Sequence, residues 1–223
     1  DTEYEGVKLL GTFCYVPEAV FPIYFVMRVN KAPESAGVWT KQRAMTAEAE
    51  WDATSGKYKL YDDYAKPMAG DDIGVYLNYN TAEGEQVEVQ MGVSFVSIEN
   101  ARENLEKEMH GCDFKQIAQQ ANDDWNENLS RITVEGGTQD QKVVFYTALY
   151  HMLIHPNILN DVNGEYPAME SNEILKTATQ RYTVFSLWDT YRNVHQMLTM
   201  VYPERQIEMV KTMLDIYKVG GWL

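Results

Sequence analysis

Phe185-Ser186-Leu187-Trp188-Asp189-Thr190-Tyr191-Arg192 decides how the second half of this chain is read. It follows a polar loop and opens a helix, setting an indole, a carboxylate and a guanidinium within two helical turns. Continued as one helix, the spacing puts Asp189, Arg192, Gln196 and Thr199 on one face. Leu187, Tyr191, Val194, Leu198 and Val201 share another. Ser186, with Asp189 three residues on, has the form of a variant capping box, which starts the helix at Ser186. Two roles for Asp189 stay open. As an N-terminal carboxylate it satisfies unpaired backbone amides. As part of a polar cluster at the mouth of a cavity it grips a polyhydroxylated ligand. Spacing alone favours the cap.

On either side the period is helical. Asp113 caps a stretch with Phe114, Ile117, Ala121, Trp125 and Leu129 at three- and four-residue spacing. After Gly136-Gly137, Thr138 caps a helix running to about His155, apolar nearly all round, which other helices normally enclose. Residues 156–184 read as a polar loop with a short hairpin. Pro203 opens the last helix, carrying Ile207, Val210, Leu214 and Tyr217, and Gly220-Gly221 stops it. Glu99 to Met109 is a polar surface helix or linker. Helices in this order suit a ring of α-hairpins.

Residues 1 to about 97 have the strand period instead. Ile23 to Val29 is rich in β-formers. Glu48–Trp51 and Tyr58–Tyr61 are shorter strands with Ser55-Gly56 as the turn signal between them. Ile73, Val75, Leu77 and Tyr79 alternate with smaller or polar residues, as do Val87, Val89, Met91, Val93 and Phe95. The polar loop 80–85 between them predicts an antiparallel hairpin. Such strands build a β-sandwich.

Bulk properties exclude more than they assign. The 223 residues suffice for one large or two modest domains, and 45% are hydrophobic. A net charge of −14 excludes duplex nucleic acid and anionic membrane surfaces as natural partners. No run of 18 apolar residues forms a transmembrane segment, and no signal peptide is visible. Cys14 and Cys112 lack CxxC spacing, and whether they pair is open. His151 and His155 lie four apart but lack the Glu of HExxH, so packing or capping explains them better than a metal. Asp161-Val162-Asn163-Gly164-Glu165 misses the EF-hand pattern and reads as an Asx-type turn. Asp62-Asp63, Asp71-Asp72 and Asp123-Asp124 read as solvated pairs. Phosphate loops, GxGxxG, GxSxG and Cys/His nucleophile patterns are missing.

The 185–192 segment, followed by Tyr202-Pro203-Glu204-Arg205 and by Tyr217-Lys218-Val219-Gly220-Gly221-Trp222-Leu223, resembles glycoside hydrolase family 92, the calcium-dependent exo-acting α-mannosidases. Val93 to Ala101 resembles the end of that family's N-terminal sandwich, and Phe145 to His151 an early helix of its (α/α)6 barrel. Tyr24-Phe25-Val26 and Gly70-Asp71-Asp72 fit more loosely. The resemblance runs through most of the chain in one order. It implies an interior fragment of a longer enzyme: 1–97 as the later part of the sandwich, 98–131 as linker helices and 132–223 as the truncated start of the barrel. It also implies removal of terminal α-mannose, α-1,2-linked, from mannose-rich glycans with inversion. A calcium ion assists, and the protein is periplasmic or extracellular. Catalytic acid, catalytic base and calcium ligands are expected beyond Leu223. Within the fragment, Asp189, Trp188 and Arg192 are expected to bind the sugar. The competing readings are a non-catalytic glycan-binding module and another (α/α)6 carbohydrate enzyme such as a phosphorylase.

Overall fold

The computed structural model describes residues 2–10, 21–45, 51–63, 66–70, 72–169 and 171–221, with the backbone alone for 42–45 and 51–57. Strands come first: β1 (Glu3–Leu10), β2 (Phe21–Val29), β3 (Ser35–Met45), β4 (Trp51–Asp62), β5 (Ile73–Asn78) and β6 (Val89–Ser94). Then follow α1 (Ile98–Glu108), α2 (Phe114–Leu129), α3 (Gln139–Leu153), β7 (Glu165–Pro167), β8 (Ile174–Lys176), α4 (Leu187–Thr190), α5 (Val194–Val201) and α6 (Pro203–Gly220). Two compact units divide the chain, one of residues 1–4 and 28–89, the other of 5–27 and 90–223. Strands before helices is the architecture the patterning predicted.

The first unit holds the sheet β4-β3-β5, antiparallel throughout. The expected hairpin of 73–79 with 87–95 does not form. β5 pairs with β3, and β6 belongs to a different sheet. Gly74 shows why β5 takes β3: a Cβ there would lie 2.5 Å from the Trp39 ring, so only glycine lets the indole cross. The 80–85 loop is held by the turn after β2, where Lys31 Nζ donates to the Asn80 carbonyl at 3.0 Å and to Glu85 at 2.5 Å. Ser55-Gly56 is not a turn between strands either. It lies inside β4, between Asp52 opposite Ala44 and Lys57 opposite Gln42, where the register shifts. Asp62 accepts a hydrogen bond from the Tyr76 hydroxyl, which pushes that phenol up to about 12. Glu48–Glu50, Asp71 and Cys14 lie outside the described residues.

In the second unit the sheet has the order β1-β2-β6. Gly92 of β6 carries α1 against it, since a Cβ there would meet the Ala101 carbonyl oxygen at 2.2 Å. Val26, Ala101 and Leu105 are buried in this contact. Ser97 caps α1, and the caps expected from sequence appear on the next two helices. Asp113 with Gln116, and Thr138 with Gln141, form complete capping boxes. Gly221, in the left-handed conformation at φ 76°, ends α6.

The main core gathers Leu149, Leu153, Tyr182, Leu198, Tyr202 and Met209. Each fully buried side chain of this size contributes roughly 1.5–3 kcal/mol. The stripe on α2 meets this core at its end alone: Leu129 packs against it half-buried, while Phe114 is exposed and none of the helix's residues is fully buried. On α3 Leu149 and Leu153 are buried, yet Val143 and Val144 stand 54% and 69% exposed, so the expected enclosure is one-sided in this chain. Tyr202 to Arg205 closes the corner between α5 and α6 onto two other helices. The Tyr202 hydroxyl donates to the Asn128 carbonyl at 2.8 Å, Glu204 pairs with Arg131, and Arg205 donates to the Leu153 carbonyl at 2.6 Å.

Glu204 is held below the usual carboxylate range, first by its own backbone N–H at the start of α6 and then by Arg131. A depressed folded value adds stability above the unfolded value near about 4.3, and that stability is lost as pH falls through the folded value. Glu204→Gln is therefore expected to flatten the acid limb of the unfolding-versus-pH curve. An unchanged acid limb would show that the tie adds nothing.

Candidate functional site

The indole–carboxylate–guanidinium corner sits on a shorter scaffold than its spacing predicts. The helix opening at Ser186 stops after α4, residues 191–193 form a turn, and α5 begins afresh at Val194. Asn193, at φ −146° and ψ −32°, is outside helical geometry. The two faces drawn through Val201 are therefore broken: Leu198 is buried, whereas Tyr191 is exposed. The capping box does not form, because the Ser186 hydroxyl donates to Asp189 Oδ2 at 2.5 Å instead of accepting from a backbone amide.

Trp188 is 79% exposed, and Asp189 beside it is exposed as well. Arg192 does not turn to Asp189. Its Nε donates to the Tyr191 hydroxyl at 2.8 Å, and its guanidinium lies 5.4 Å from that ring's centre. The three expected residues thus lie on one short turn with distinct offerings. The indole gives a free aromatic face, the carboxylate keeps acceptor capacity beyond the Ser186 hydroxyl, and the guanidinium has donors left over.

Side chains to which the sequence reading gave no supporting role hold this turn in place. Thr190 Oγ1 lies 2.9 Å from His195 Nε2, and His195 Nδ1 lies 3.1 Å from Gln206 Oε1 on α6. Gln196 Nε2 donates to the Tyr191 carbonyl at 2.8 Å. The spacing Thr190–His195 gave no signal, because a break between them brings them together.

The chain enters the turn from a two-stranded excursion whose anchor is also an acid. Asp161 is 5% exposed. Its Oδ2 accepts from Ser94 Oγ at 2.7 Å and from Asn100 Nδ2 at 2.8 Å, and its Oδ1 from Asn104 Nδ2 at 2.7 Å. Asn104 Oδ1 accepts the Val162 backbone N–H at 3.0 Å. The Asx-type turn is present but centred on Asn163, whose Oδ1 accepts the Glu165 N–H at 2.9 Å. Gly164, at φ 88°, completes it, and a Cβ there would lie 2.3 Å from the Thr177 carbonyl oxygen. Asn100 and Asn104, four apart beside Ala101 and Leu105, were the readable sign of a buried acceptor. β7 pairs with β8, and Ile158 bridges Tyr182, so this segment leads straight to Ser186.

Metal ligation finds no support among the described residues, where no three His, Cys, Asp or Glu side chains converge. His151 is exposed beside the Tyr150 ring. Asp161 spends its acceptors on amides and a hydroxyl. No described helix is long and apolar enough to cross a membrane.

Residues 100–223 match the glycosyl hydrolase family 92 catalytic domain, and residues 1–94 match that family's N-terminal domain. An uncharacterized secreted glycosidase of Arthroderma benhamiae is 30% identical over 126 residues, 54% of this chain and 15% of that protein. The family GH92 inverting mannosidase BT2199 of Bacteroides thetaiotaomicron superposes with a TM-score of 0.74 at 26% identity, covering 91% of this chain and 26% of its own. The α-mannosidase BT3965 of the same organism and family, in complex with mannoimidazole, gives 0.73 at 24% identity, covering 98% and 27%. That second likeness speaks for the fold alone. The chain thus spans 26% and 27% of the two solved structures and 15% of the secreted relative.

Ser94 ends one matched domain and Asn100 begins the other, so the Asp161 carboxylate ties their facing edges. Asp161→Ala removes one acceptor from each of three donors, of which Asn100 Nδ2 keeps Glu165 and Asn104 Nδ2 keeps the Val93 carbonyl, and is expected to cost about 3 kcal/mol, read as a lowered unfolding midpoint. Asp161→Asn keeps the shape but turns one acceptor into a donor, and is expected to cost less than the alanine variant. Wild-type stability in both would remove the anchor role.

Proposed function

The chain belongs to glycosyl hydrolase family 92, and from that membership we propose that the whole protein hydrolyses terminal α-mannose from mannose-bearing glycans. The observation supporting a sugar site in this part is the exposed Trp188 face beside the Asp189 carboxylate on one short turn. A carboxylate accepts from two vicinal hydroxyls at once, and an indole covers the apolar C–H face of a pyranose. In this reading Asp189 orients the terminal mannose, Trp188 forms a wall and Arg192 donates to an outer hydroxyl.

Bond cleavage is assigned to residues beyond Leu223. A protonated carboxylic acid there gives its proton to the leaving oxygen, and a carboxylate activates water on the opposite face. Inversion needs roughly 6.5–9.5 Å between the two, to admit that water. The bare outer face of α3, with Val143 and Val144, suits a helix that further barrel helices cover in the whole protein. Calcium dependence is proposed for the whole protein only, since the described residues do not fit the ion. α-1,2-Linked mannose is the first linkage to assay. A periplasmic or extracellular location is proposed from the secreted relative and the glycan substrate.

In the full-length enzyme Asp189→Ala is expected to lower kcat/KM on α-mannosides about a hundredfold, in keeping with loss of a hydrogen-bonded charged anchor. Near-normal kinetics would take Asp189 out of the site. Chelation is expected to abolish turnover and added calcium to restore it. Full activity in excess chelator would end the calcium proposal.

A further inference from the structure

We propose that His195 is the positioning residue of the Trp188–Asp189 corner, a strut that hangs the short helix α4 from α6. This rests on the sugar-binding reading given above.

A four-residue helix cannot hold itself, because a single turn fixes many dihedrals for very few hydrogen bonds. α4 has no side-chain cap, and the 191–193 turn uncouples it from the axis of α5. Something else must set its place. His195 lies half-buried in the first turn of α5, with one ring nitrogen 2.9 Å from Thr190 Oγ1 and the other 3.1 Å from Gln206 Oε1. A neutral imidazole does this with one nitrogen donating and the other accepting, across a rigid ring. Gln206 in turn stands on a fixed element. Met209 and Thr212 of α6 are 0% and 1% exposed, and Arg205 next to Gln206 holds the Leu153 carbonyl. The path from core to site therefore runs α6, Gln206, His195, Thr190, Asp189. Both ring nitrogens are spent inside the protein, so His195 acts through Thr190 and not on the substrate.

The side-chain geometry makes the strut testable. A glutamine at 195 reaches where Nε2 stood and keeps the Thr190 bond. An asparagine reaches where Nδ1 stood and keeps only the Gln206 bond. The test uses the full-length enzyme with an aryl α-mannoside, recording kcat, KM and the thermal midpoint for His195→Ala, His195→Gln, His195→Asn, Thr190→Val and the His195→Ala/Thr190→Val pair. A displaced grip weakens substrate binding, so KM is expected to rise about tenfold or more in His195→Ala, His195→Asn and Thr190→Val. His195→Gln is expected to recover most of it. The double variant is expected to be no worse than the worse single, since both cut one path. If His195→Ala fails to fold, Thr190→Val and the Gln/Asn contrast carry the same question. A wild-type KM in Thr190→Val, or a lowered midpoint with no KM change, overturns the strut, as does His195→Gln no better than His195→Asn. With Asp189→Ala impaired, those outcomes overturn the strut alone. Normal kinetics in Asp189→Ala overturn it together with the sugar-binding reading.

Discussion

A carboxylate taken out of water must find donors, and Asp161 finds three. That requirement shapes the second unit. Ser94 comes from the end of β6, Asn100 and Asn104 from one face of α1, and the acid itself from the loop after α3. None of the three segments can shift without stranding a buried group. The loop beyond Asp161 is further restricted by Gly164, where no side chain fits. From there the chain is paired through β7, β8 and the Ile158–Tyr182 bridge until it reaches Ser186. The exposed Trp188–Asp189 turn is therefore the far end of a path whose near end is buried and saturated with hydrogen bonds.

What could be read from sequence was what neighbours along the chain decide. Asp113, Thr138, Pro203 and Gly221 act within one helical turn, and each stands at the helix end its chemistry demands. What could not be read depends on partners far away. β5 and β6 alternate well enough to pair, yet Trp39 over Gly74 and α1 over Gly92 draw them into different sheets. Ser55-Gly56 has turn chemistry, and the chain uses it for an irregularity inside a strand. Trp188, Asp189 and Arg192 were singled out through family resemblance, while the support of their turn gave no signal. Thr190, His195 and Gln206 meet only because the helix breaks where its periodicity continues. Asp161 was visible as a turn residue, but burial cannot be seen from five letters.

The family blocks also acquire separate physical meanings. Phe185 to Arg192 carries the exposed chemistry. Val93 to Ala101 supplies Ser94 and Asn100 to a buried acid. In Tyr202 to Arg205, three of the four residues tie α6 to the rest of the helical part.

That last corner has an electrostatic side. Every helix ends in carbonyls that act together as a partial negative pole. At this corner α6 reaches backbone carbonyls near the C-terminal ends of both α2 and α3, in a chain carrying −14. Arg131 and Arg205 stand there, among only 19 basic residues, each stacked on a tyrosine ring, Arg131 over Tyr202 and Arg205 over Tyr182. The joint where helices converge thus holds two guanidiniums, one of them shared between the Glu204 carboxylate and the Val201 carbonyl. Carbonyls at the ends of α5 and α3 are met there by guanidinium as well as by packing.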